Sequence, residues 1–344
     1  MQKYPFITAM IVVRNEEKYI EKCLRSLLEQ NYPPDRYEIL IIDGLSDDNT
    51  LAIAKETEEK YSWRELTNGD KSKVQVRYLQ NQKKILASGW NLGIQEAKGD
   101  YVTRIDAHGY ADKDFILKSA ETILNIGDAV CVGGSIRTES ISKTGKVIAY
   151  VLSSPFGVGN SKFRYSQKAQ YVDSVAFGLY KKSIFNEVGY FDETLWRNQD
   201  NDLHRRIRER GGKFYLNPEI KSTYFPRETV KSMIKQGYQN GKWNIITFRI
   251  DRKSLSLRHL VPLGFVLGII GCGVLGIFNP IFWHLFLAVL ILHLVLGVMF
   301  SLKKTNNLPY VIQMPWLFML LHLSYGIGSL LSIFNLTKRK VHKY

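Results

Sequence analysis

Short apolar runs alternate with segments of helical spacing over the first 130 residues. Phe6–Val13 is a continuous apolar run of strand length, which predicts a buried strand. Apolar residues recur with helical spacing over Glu16–Gln30. The alternation continues, with predicted strands at 37–42, 74–79, 101–105 and 129–133 and predicted helices at 50–61, 86–97 and 111–126. This order predicts an α/β fold with a mostly parallel sheet covered on both faces.

Polar side chains follow several predicted strands at their carboxyl ends. Asn15 and Glu16 come after the first strand, Asp43 follows the second, and Asp106 and His108 follow a later one. In sheets of this kind, ligands bind beyond the carboxyl ends of the strands. The sequence therefore predicts a ligand site at this edge.

The pattern is less regular between residues 135 and 250. Residues 135–170 are rich in Gly and Ser and are predicted to form a binding loop that includes Ser153–Gly159. Further strands are predicted at 172–180, 213–216 and 222–225, and further helices at 182–188, 200–210 and 229–246. On the last helix Gln239 and Trp243 are four residues apart and share a face, while Lys242 is three residues from Gln239.

Long uncharged segments dominate the C-terminal part of the chain. No Asp, Glu, Lys or Arg occurs from Leu260 to Leu302, and Asn279-Pro280 divides this stretch into two segments of about twenty residues, the length that crosses a bilayer. We therefore predict transmembrane helices at about 260–278 and 281–301. A buried hairpin of a soluble protein is disfavoured, because segments this long and uncharged are rare there.

A third uncharged run covers Leu308–Leu336. If Arg258 is cytoplasmic, the hairpin returns Lys303-Lys304 to the cytoplasm, as the positive-inside rule requires. A third crossing would place the basic residues 338–340 outside. We therefore expect the segment at about 309–334 to be re-entrant or interfacial. The predicted domains are a cytoplasmic domain at 1–250 and a membrane domain at 251–344.

The net charge of +15 is concentrated near the C-terminus, where residues 251–344 carry nine Lys or Arg and one acid. Because this excess flanks apolar runs, it indicates a membrane surface rather than a nucleic acid. The smaller excess before residue 251 suits a diphosphate or an anionic lipid, or is ordinary solubilising charge. Three cysteines form no disulfide pattern and no signal-peptide pattern occurs, so we expect the first domain to stay in the cytoplasm.

Asp106-Ala107-His108 is a candidate metal site. Removing a sugar from a nucleoside diphosphate leaves an anionic diphosphate, whose charge a divalent cation stabilises. Mg²⁺ prefers oxygen ligands, whereas Mn²⁺ tolerates an imidazole more readily, so this pair hints at Mn²⁺. The simpler alternative makes Asp106 a cap and His108 a surface residue, but their position at a strand end favours a function.

Asp200 is the candidate general base. Direct displacement at an anomeric carbon inverts its configuration and needs a carboxylate to take the proton of the acceptor hydroxyl. Asp202 is the rival, and Asp200 could simply cap a helix. Asp43 could accept a hydrogen bond from a uracil N–H or serve only in a turn, and Asn91 could also approach the nucleotide.

Gln239, Lys242 and Trp243 would place a cation and an aromatic face beside the leaving diphosphate or the acceptor ring. The alternative is an amphipathic helix on the membrane, anchored by Trp243 at the interface. The two interpretations are compatible.

Together these residues resemble a family-2 glycosyltransferase with a GT-A nucleotide-binding domain, of the succinoglycan-biosynthesis ExoA type. The resemblance covers residues 6–250 and is most specific at 104–108, 153–159 and 197–203. It implies that Glu16 and Asp43 bind the base and ribose, that Asp106 binds the diphosphate–metal complex and that Asp200 is the catalytic Asp. The predicted nucleotide-binding set is Asn15, Glu16, Asp43, Asn91 and Asp106. Gln239, Lys242 and Trp243 match a Gln-x-x-Arg-Trp-like motif.

The chain departs from this family pattern at four places. Asp-Ala-His stands for the usual Asp-x-Asp, which puts the identity of the metal in question, and Gln199 stands for the Glu before the catalytic Asp. Lys242 replaces an Arg and loses its bidentate geometry. Trp90 stands where an Arg often precedes the Asn-x-Gly motif.

The resemblance implies an inverting, metal-dependent transferase with Mn²⁺ or Mg²⁺ as cofactor. It would move a sugar from a UDP-sugar, with UDP-glucose as the best guess, to a lipid-linked polyprenyl-diphosphate saccharide during exopolysaccharide or capsule assembly. We expect a multi-pass protein of the bacterial inner membrane with a cytoplasmic catalytic domain, other polysaccharide-assembly proteins as partners, and no nucleic acid. The alternative is a catalytically degenerate scaffold of an assembly complex, against which the retained Asp43, Asp106 and Asp200 argue. A nucleotidyltransferase or a dehydrogenase lacks its glycine motif here.

Overall fold

The computed structural model describes residues 4–65, 69–226, 228–250, 252 and 259–334. The chain divides into two compact units: Met1–Arg137 with Tyr165–Phe225, and Thr138–Arg164 with Pro226–Tyr344. The chain therefore leaves the first unit and returns to it before it enters the C-terminal helices. From the sequence we predict a cytoplasmic catalytic domain up to residue 250 and a membrane domain after it. This functional division stays a prediction.

The secondary structure follows the predicted alternation. The strands are β1 (Ile7–Val13), β2 (Tyr37–Asp43), β3 (Trp63–Glu65), β4 (Lys71–Lys73), β5 (Gln75–Gln80), β6 (Tyr101–Arg104), β7 (Gly109–Ala111), β8 (Ala129–Thr138), β9 (Gln170–Val172), β10 (Leu179–Lys181) and β11 (Lys213–Tyr224). The helices are α1 (Ile20–Leu28), α2 (Thr50–Tyr61), α3 (Leu86–Glu96), α4 (Phe115–Ile126), α5 (Lys143–Leu152), α6 (Pro155–Val158), α7 (Ile184–Val188), α8 (Gln199–Glu209), α9 (Val230–Ile250), α10 (Val261–Gly276), α11 (Ile281–Lys304) and α12 (Leu308–Ile333).

A nine-stranded sheet organises the first unit, with the order β5-β2-β1-β6-β10-β8-β11-β7 and with β9 paired to β11. β5, β2, β1 and β6 are parallel, whereas β10 is antiparallel to both of its neighbours. The register pairs Val13 with Asp43 and Met10 with Arg104. The predicted α/β fold with a largely parallel central sheet is confirmed, and the carboxyl ends of β1, β2 and β6 lie along one edge.

The irregular part of the sequence contains more regular structure than predicted. Residues 135–170 are not one loop: β8 continues to Thr138, and α5 follows with Val147, Ile148 and Val151 buried at helical spacing. The Ser142 hydroxyl accepts from the Gly145 N–H and caps α5. The Gly and Ser residues that suggested a loop therefore mark the start of a helix.

Two strand predictions were also wrong in extent. The strand predicted at 172–180 is split into β9 and β10, and Phe177 between them has a left-handed φ of 48°, which a continuous strand excludes. The strands predicted at 213–216 and 222–225 are one strand, β11, which pairs with β9 near its start and with β7 near its end.

A separate apolar core holds the second unit together. It is formed by side chains of α5, α9 and α12: Val147, Ile148, Val151, Leu152, Met233, Met314, Leu317, Phe318 and Leu321. Small residues allow α9 and α12 to approach closely, since a Cβ added at Gly237 would lie 2.4 Å from Ser324 Oγ and one added at Gly328 would lie 2.1 Å from the Tyr238 carbonyl oxygen. Such close crossings are typical of helices that associate in membranes.

Two C-terminal helices, α11 and α12, are long and apolar enough to cross a membrane by length and composition. α10, in contrast, has 16 residues and is shorter than the predicted crossing at 260–278. The segment predicted to be re-entrant or interfacial is one continuous 26-residue helix, α12, with Pro315 inside it. Arg258 and residues 338–340, on which the topological argument rested, lie outside the described residues.

The α9–α12 contact gives a test of this packing. A Cβ at Gly241 would lie 1.9 Å from the Tyr325 carbonyl oxygen, so Gly241→Ala should force the helices apart and lower the stability by about 1–3 kcal/mol. Thermal unfolding in detergent measures the effect. Gly264→Ala is the control, because a Cβ there meets nothing within 4 Å. Equal melting temperatures of the two variants would contradict the predicted packing.

Candidate active site

Asn15 and Asp43 meet at the edge of the sheet through Ser46. Asn15 lies two residues beyond the end of β1 and has a left-handed φ of 56°, and its N–H donates to Ser46 Oγ at 3.0 Å. The Ser46 hydroxyl donates to Asp43 Oδ1 at 2.6 Å, and the Ser46 N–H also donates to this carboxylate. The structure thus brings together two of the predicted nucleotide-binding residues, with the Asp43 carboxylate already held by the turn that follows it.

Glu16, Asp106 and His108 form a second group at the same edge. His108 Nδ1 lies 3.5 Å from Glu16 Oε1, and the Cys23 thiol donates to the Asp106 carbonyl at 3.7 Å. Burial raises the pKa of Cys23, and the negative charges of Asp106 and Glu16 raise it further. Both carboxylates therefore lie near enough to Cys23 for their charges to act on this buried thiol.

The donor atoms of this group bear on metal binding. Within the described ranges, no group of three or more His, Cys, Asp or Glu side chains could hold a metal ion. Mg²⁺ commonly takes only one or two protein carboxylates and completes its shell with substrate phosphates and water. Asp106 and His108 offer one carboxylate and one imidazole, a donor set as small as such an open site takes from the protein, and their binding of a metal ion stays a prediction.

Asp200 and Asp202 have different environments, which separates the candidate base from its rival. Asp202 is 10% exposed in its side chain and forms ion pairs with Arg205 (3.2 Å) and Arg206 (2.9 Å). Asp200, in the first turn of α8, is 41% exposed, and its Oδ1 lies 2.6 Å from Arg104 Nη2. Asp202 therefore holds the helix in place, while Asp200 remains accessible.

Arg104 belongs to the stretch 104–108 that carries the family resemblance, but the sequence predicts no role for it. It is the last residue of β6, and its guanidinium carbon lies 3.4 Å from the ring centroid of Trp90. Burial by itself would lower the pKa of Arg104, but the negative charge of Asp200 and smaller contributions from Tyr180 and Asp106 raise it. The sequence feature that could have indicated a role for Arg104 is its position as a cation in a predicted buried strand. A cation is costly to bury without an anionic partner.

Asn91 connects α3 to the loop before α8. Its amide donates to the Phe191 carbonyl at 2.9 Å and to Glu193 Oε1 at 3.1 Å, and its side-chain oxygen accepts from the Phe191 N–H at 2.9 Å. Both ends of the amide are therefore engaged by the protein. Binding of the nucleotide by Asn91 stays a prediction, while its role in positioning this loop is visible in the contacts.

Sequence reasoning also missed a buried polar pair behind Asp200. The Tyr180 hydroxyl lies 2.6 Å from His204 Nε2, and the imidazole packs against Phe214 with centroids 4.5 Å apart. Burial lowers the pKa of His204 from 6.5 to about 3, so the ring is neutral at physiological pH. The sequence of α8 is rich in charged residues and does not indicate that His204 is buried. Its burial is decided by the packing of α8 against the sheet.

The residues predicted to contact the leaving diphosphate or the acceptor lie on α9, in the second unit: Gln239, Lys242 and Trp243. All three are partly exposed. The Lys242 carbonyl accepts from Ser332 Oγ at 3.3 Å, which ties this turn of α9 to α12. Their contact with a diphosphate or an acceptor stays a prediction.

The first unit is an α/β domain with acidic side chains at one edge of its sheet, and comparison with known families gives the class of protein. The family model Glycosyl transferase family 2 matches residues 8–189. The chain therefore belongs to family 2 of the glycosyltransferases. The predicted enzyme class is confirmed.

Two curated relatives match most of the chain. A protein of Methanococcus voltae, dolichyl N-acetyl-alpha-D-glucosaminyl phosphate 3-beta-D-2,3-diacetamido-2,3-dideoxy-beta-D-glucuronosyltransferase, is 30% identical over 328 residues and covers 93% of this chain and 95% of the relative. The succinoglycan biosynthesis protein ExoA of Rhizobium meliloti is 29% identical over 252 residues, 72% of each chain. Among solved structures, the mannosyltransferase PcManGT of Pyrobaculum calidifontis, in complex with GDP-Man and Mn²⁺, aligns with a TM-score of 0.59 at 14% identity, covering 97% of this chain and 88% of that one. This last match supports the fold.

Replacing Asp200 with Asn should abolish sugar transfer and preserve nucleotide binding. The amide cannot accept the hydroxyl proton, and loss of a general base costs about 10²–10⁴-fold in rate. Turnover and the dissociation constant of the nucleotide should be measured on the same preparation. Glu209→Gln, at the other end of α8, is the matched control and should keep transfer. Retained turnover in Asp200→Asn would remove Asp200 from the role of base.

His204 predicts how stability depends on pH. The unfolded chain protonates this residue near pH 6.5, whereas the folded chain does so only near pH 3, so stability is present above the higher pKa and falls as the pH drops below it. The loss from this residue approaches about 1.4 kcal/mol per pH unit. His204→Gln should weaken this dependence between about pH 6 and pH 4. Melting temperatures of both proteins across that range provide the measurement, and parallel curves would contradict it.

Proposed function

We propose that this glycosyltransferase transfers one sugar per encounter from a UDP-sugar to a lipid-linked saccharide, with inversion at the anomeric carbon. The observation that carries this proposal is the accessible Asp200 carboxylate in the first unit, beside a buried, fully engaged Asp202. A single carboxylate with access to a substrate hydroxyl suits a one-step displacement.

In the proposed reaction, Asp200 takes the proton of an acceptor hydroxyl. The acceptor oxygen then forms a bond to the anomeric carbon from the side opposite the diphosphate. The bond from that carbon to the diphosphate oxygen breaks, and UDP leaves with the bonding electrons. Inversion follows from this direct displacement.

The donor would lie at the carboxyl edge of β1, β2 and β6. Asn15, Glu16 and Asp43 would contact the nucleoside, with Asn91 as a further candidate. Asp106 and His108 would hold Mn²⁺ or Mg²⁺, which in its bound state neutralises the charge of the diphosphate. Asp106 lies two residues beyond Arg104, the partner of Asp200, so this arrangement keeps the leaving group close to the base.

The names of the relatives support a lipid-linked acceptor. The Methanococcus voltae protein is named for a dolichyl-linked N-acetylglucosaminyl phosphate acceptor, and the Rhizobium meliloti protein for succinoglycan biosynthesis. For this chain we propose a polyprenyl-diphosphate saccharide, extended with glucose during exopolysaccharide or capsule assembly. Gln239, Lys242 and Trp243 would bind the acceptor or the leaving diphosphate.

The C-terminal helices would keep the enzyme at the cell membrane, with its first unit in the cytoplasm. α11 has the length and composition of a span. α12 runs beside the polar helix α9, since Gly237 meets Ser324 near the middle of α12 and the Arg249 guanidinium donates to the Ser332 and Ile333 carbonyls near its end. We propose an interfacial position for α12, because a third crossing would place the basic residues 338–340 outside.

Release of UDP from a panel of UDP-sugars tests the proposal. Membranes should supply the lipid-linked acceptor, and Mn²⁺ or Mg²⁺ should be present or absent. We expect release with one UDP-sugar, dependent on both acceptor and metal, because the cation offsets the charge of the leaving group. UDP binding without release from any donor would favour a scaffold of an assembly complex, and transfer from a GDP-sugar would overturn the assignment of the nucleotide.

A further inference from the structure

We propose that Arg104 is a positioning residue for Asp200, which fixes the carboxylate so that Oδ2 meets the acceptor hydroxyl. This inference rests on the proposed function. It concerns a residue to which the family motifs of the sequence assign no role.

The first observation is that Arg104 is a buried cation with one anionic partner. Its side chain is 8% exposed, and its Nε and Nη1 atoms are buried and form no hydrogen bond to the described residues. Its Nη2 meets Asp200 Oδ1 at 2.6 Å, a close ion contact whose angles are not those of an aligned hydrogen bond. A buried ion pair of this kind gives little net stability, because desolvation offsets the attraction. Stabilising the fold therefore does not account for this arginine.

The second observation is that aromatic rings fix the plane of the guanidinium. Its carbon atom lies 3.4 Å from the Trp90 ring centroid and 5.4 Å from that of Phe191. The ring centroids of Trp90 and Phe191 lie 4.9 Å apart. The Asn91 side-chain amide donates to the Phe191 carbonyl and accepts from the Phe191 N–H. A guanidinium stacked on such a platform has little freedom to rotate away from Asp200.

The third observation is how the two oxygens of Asp200 differ. Oδ1 is buried against Arg104, so the 41% exposure of the side chain belongs to its other atoms. Oδ2 is therefore the oxygen that can meet an acceptor hydroxyl. Asn198, with a left-handed φ of 64°, directly precedes α8, and Asp200 lies in the first turn of this helix.

The chemical consequence is one of orientation. Arg104 ends a central strand whose backbone leads, two residues later, to Asp106. The ion pair therefore ties the candidate base to the end of the strand that the predicted diphosphate ligand, Asp106, follows. Since a misplacement of about 1 Å at a reacting group can cost about 10²-fold in rate, loss of this contact should reduce turnover without loosening the donor.

Arg104→Met tests this inference, with turnover and donor KM measured at saturating lipid-linked acceptor. We expect kcat to fall roughly 100-fold while the donor KM stays within about threefold. Arg104→Lys should recover part of the loss, since it restores a cation without the planar fork. In an Asp200→Asn background, Arg104→Met should have no further effect, because the group that it positions is gone.

A second buried pair supplies the matched control. Arg77 lies 3.2 Å from Glu38, whose side chain is fully buried, at the parallel end of the same sheet. Arg77→Met should lower the melting temperature and leave kcat unchanged. Equal effects of Arg77→Met and Arg104→Met on kcat would overturn the positioning role, as would a rise in donor KM with an intact kcat in Arg104→Met.

If Arg104→Met fails to fold, Arg104→Lys and Trp90→Phe carry the same test. Trp90→Phe keeps an aromatic face but a smaller platform, and we expect a several-fold fall in kcat at constant donor KM. Unchanged kcat in both variants overturns the inference. Silence of the wild type with every donor overturns the proposed function and this inference together, whereas an active wild type with a fully active Arg104→Lys and Trp90→Phe overturns the inference alone.

Discussion

The parallel hydrogen-bond register of β2, β1 and β6 places the candidate site residues at one edge of the sheet. Val13 lies opposite Asp43, and Met10 lies opposite Arg104, so the residues that follow these strands emerge at one edge. A shift of one residue would turn each side chain of a strand to the opposite face of the sheet. Because β1 and β2 are buried on both faces, such a shift would require repacking on both sides of the sheet.

The polar groups near this edge are supported by neighbours that are themselves fixed. Asp43 is held by Ser46, and the loop before α8 is held by Asn91. Asp202, through Arg205 and Arg206, keeps the first turn of α8 in place, and Asp200 projects from that turn. Asp202 is thus engaged by its neighbours, whereas the side chain of Asp200 stays 41% exposed.

Helix packing in the second unit follows a different physical rule. α9 and α12 approach through Gly237, Gly241 and Gly328, where a larger residue would collide with backbone atoms of the partner helix or with Ser324. The motif residues of α9 are therefore carried by a helix whose position depends on an apolar neighbour. In this unit it is close backbone approach, rather than strand register, that places candidate functional side chains.

The sequence by itself determined the α/β class, the acidic residues at the strand ends and the apolar C-terminal helices, because periodicity and uninterrupted apolar length are local properties. It also limited the candidates for the general base to Asp200 and Asp202. Only the tertiary structure separated these two, since burial and ion pairing depend on residues such as Arg206 and on the strand that carries Arg104. The same is true of Arg104 on Trp90 and of His204 beside Tyr180: the partners are 14 and 24 residues apart along the chain, and only the packing of the sheet against α3 and α8 brings them into contact.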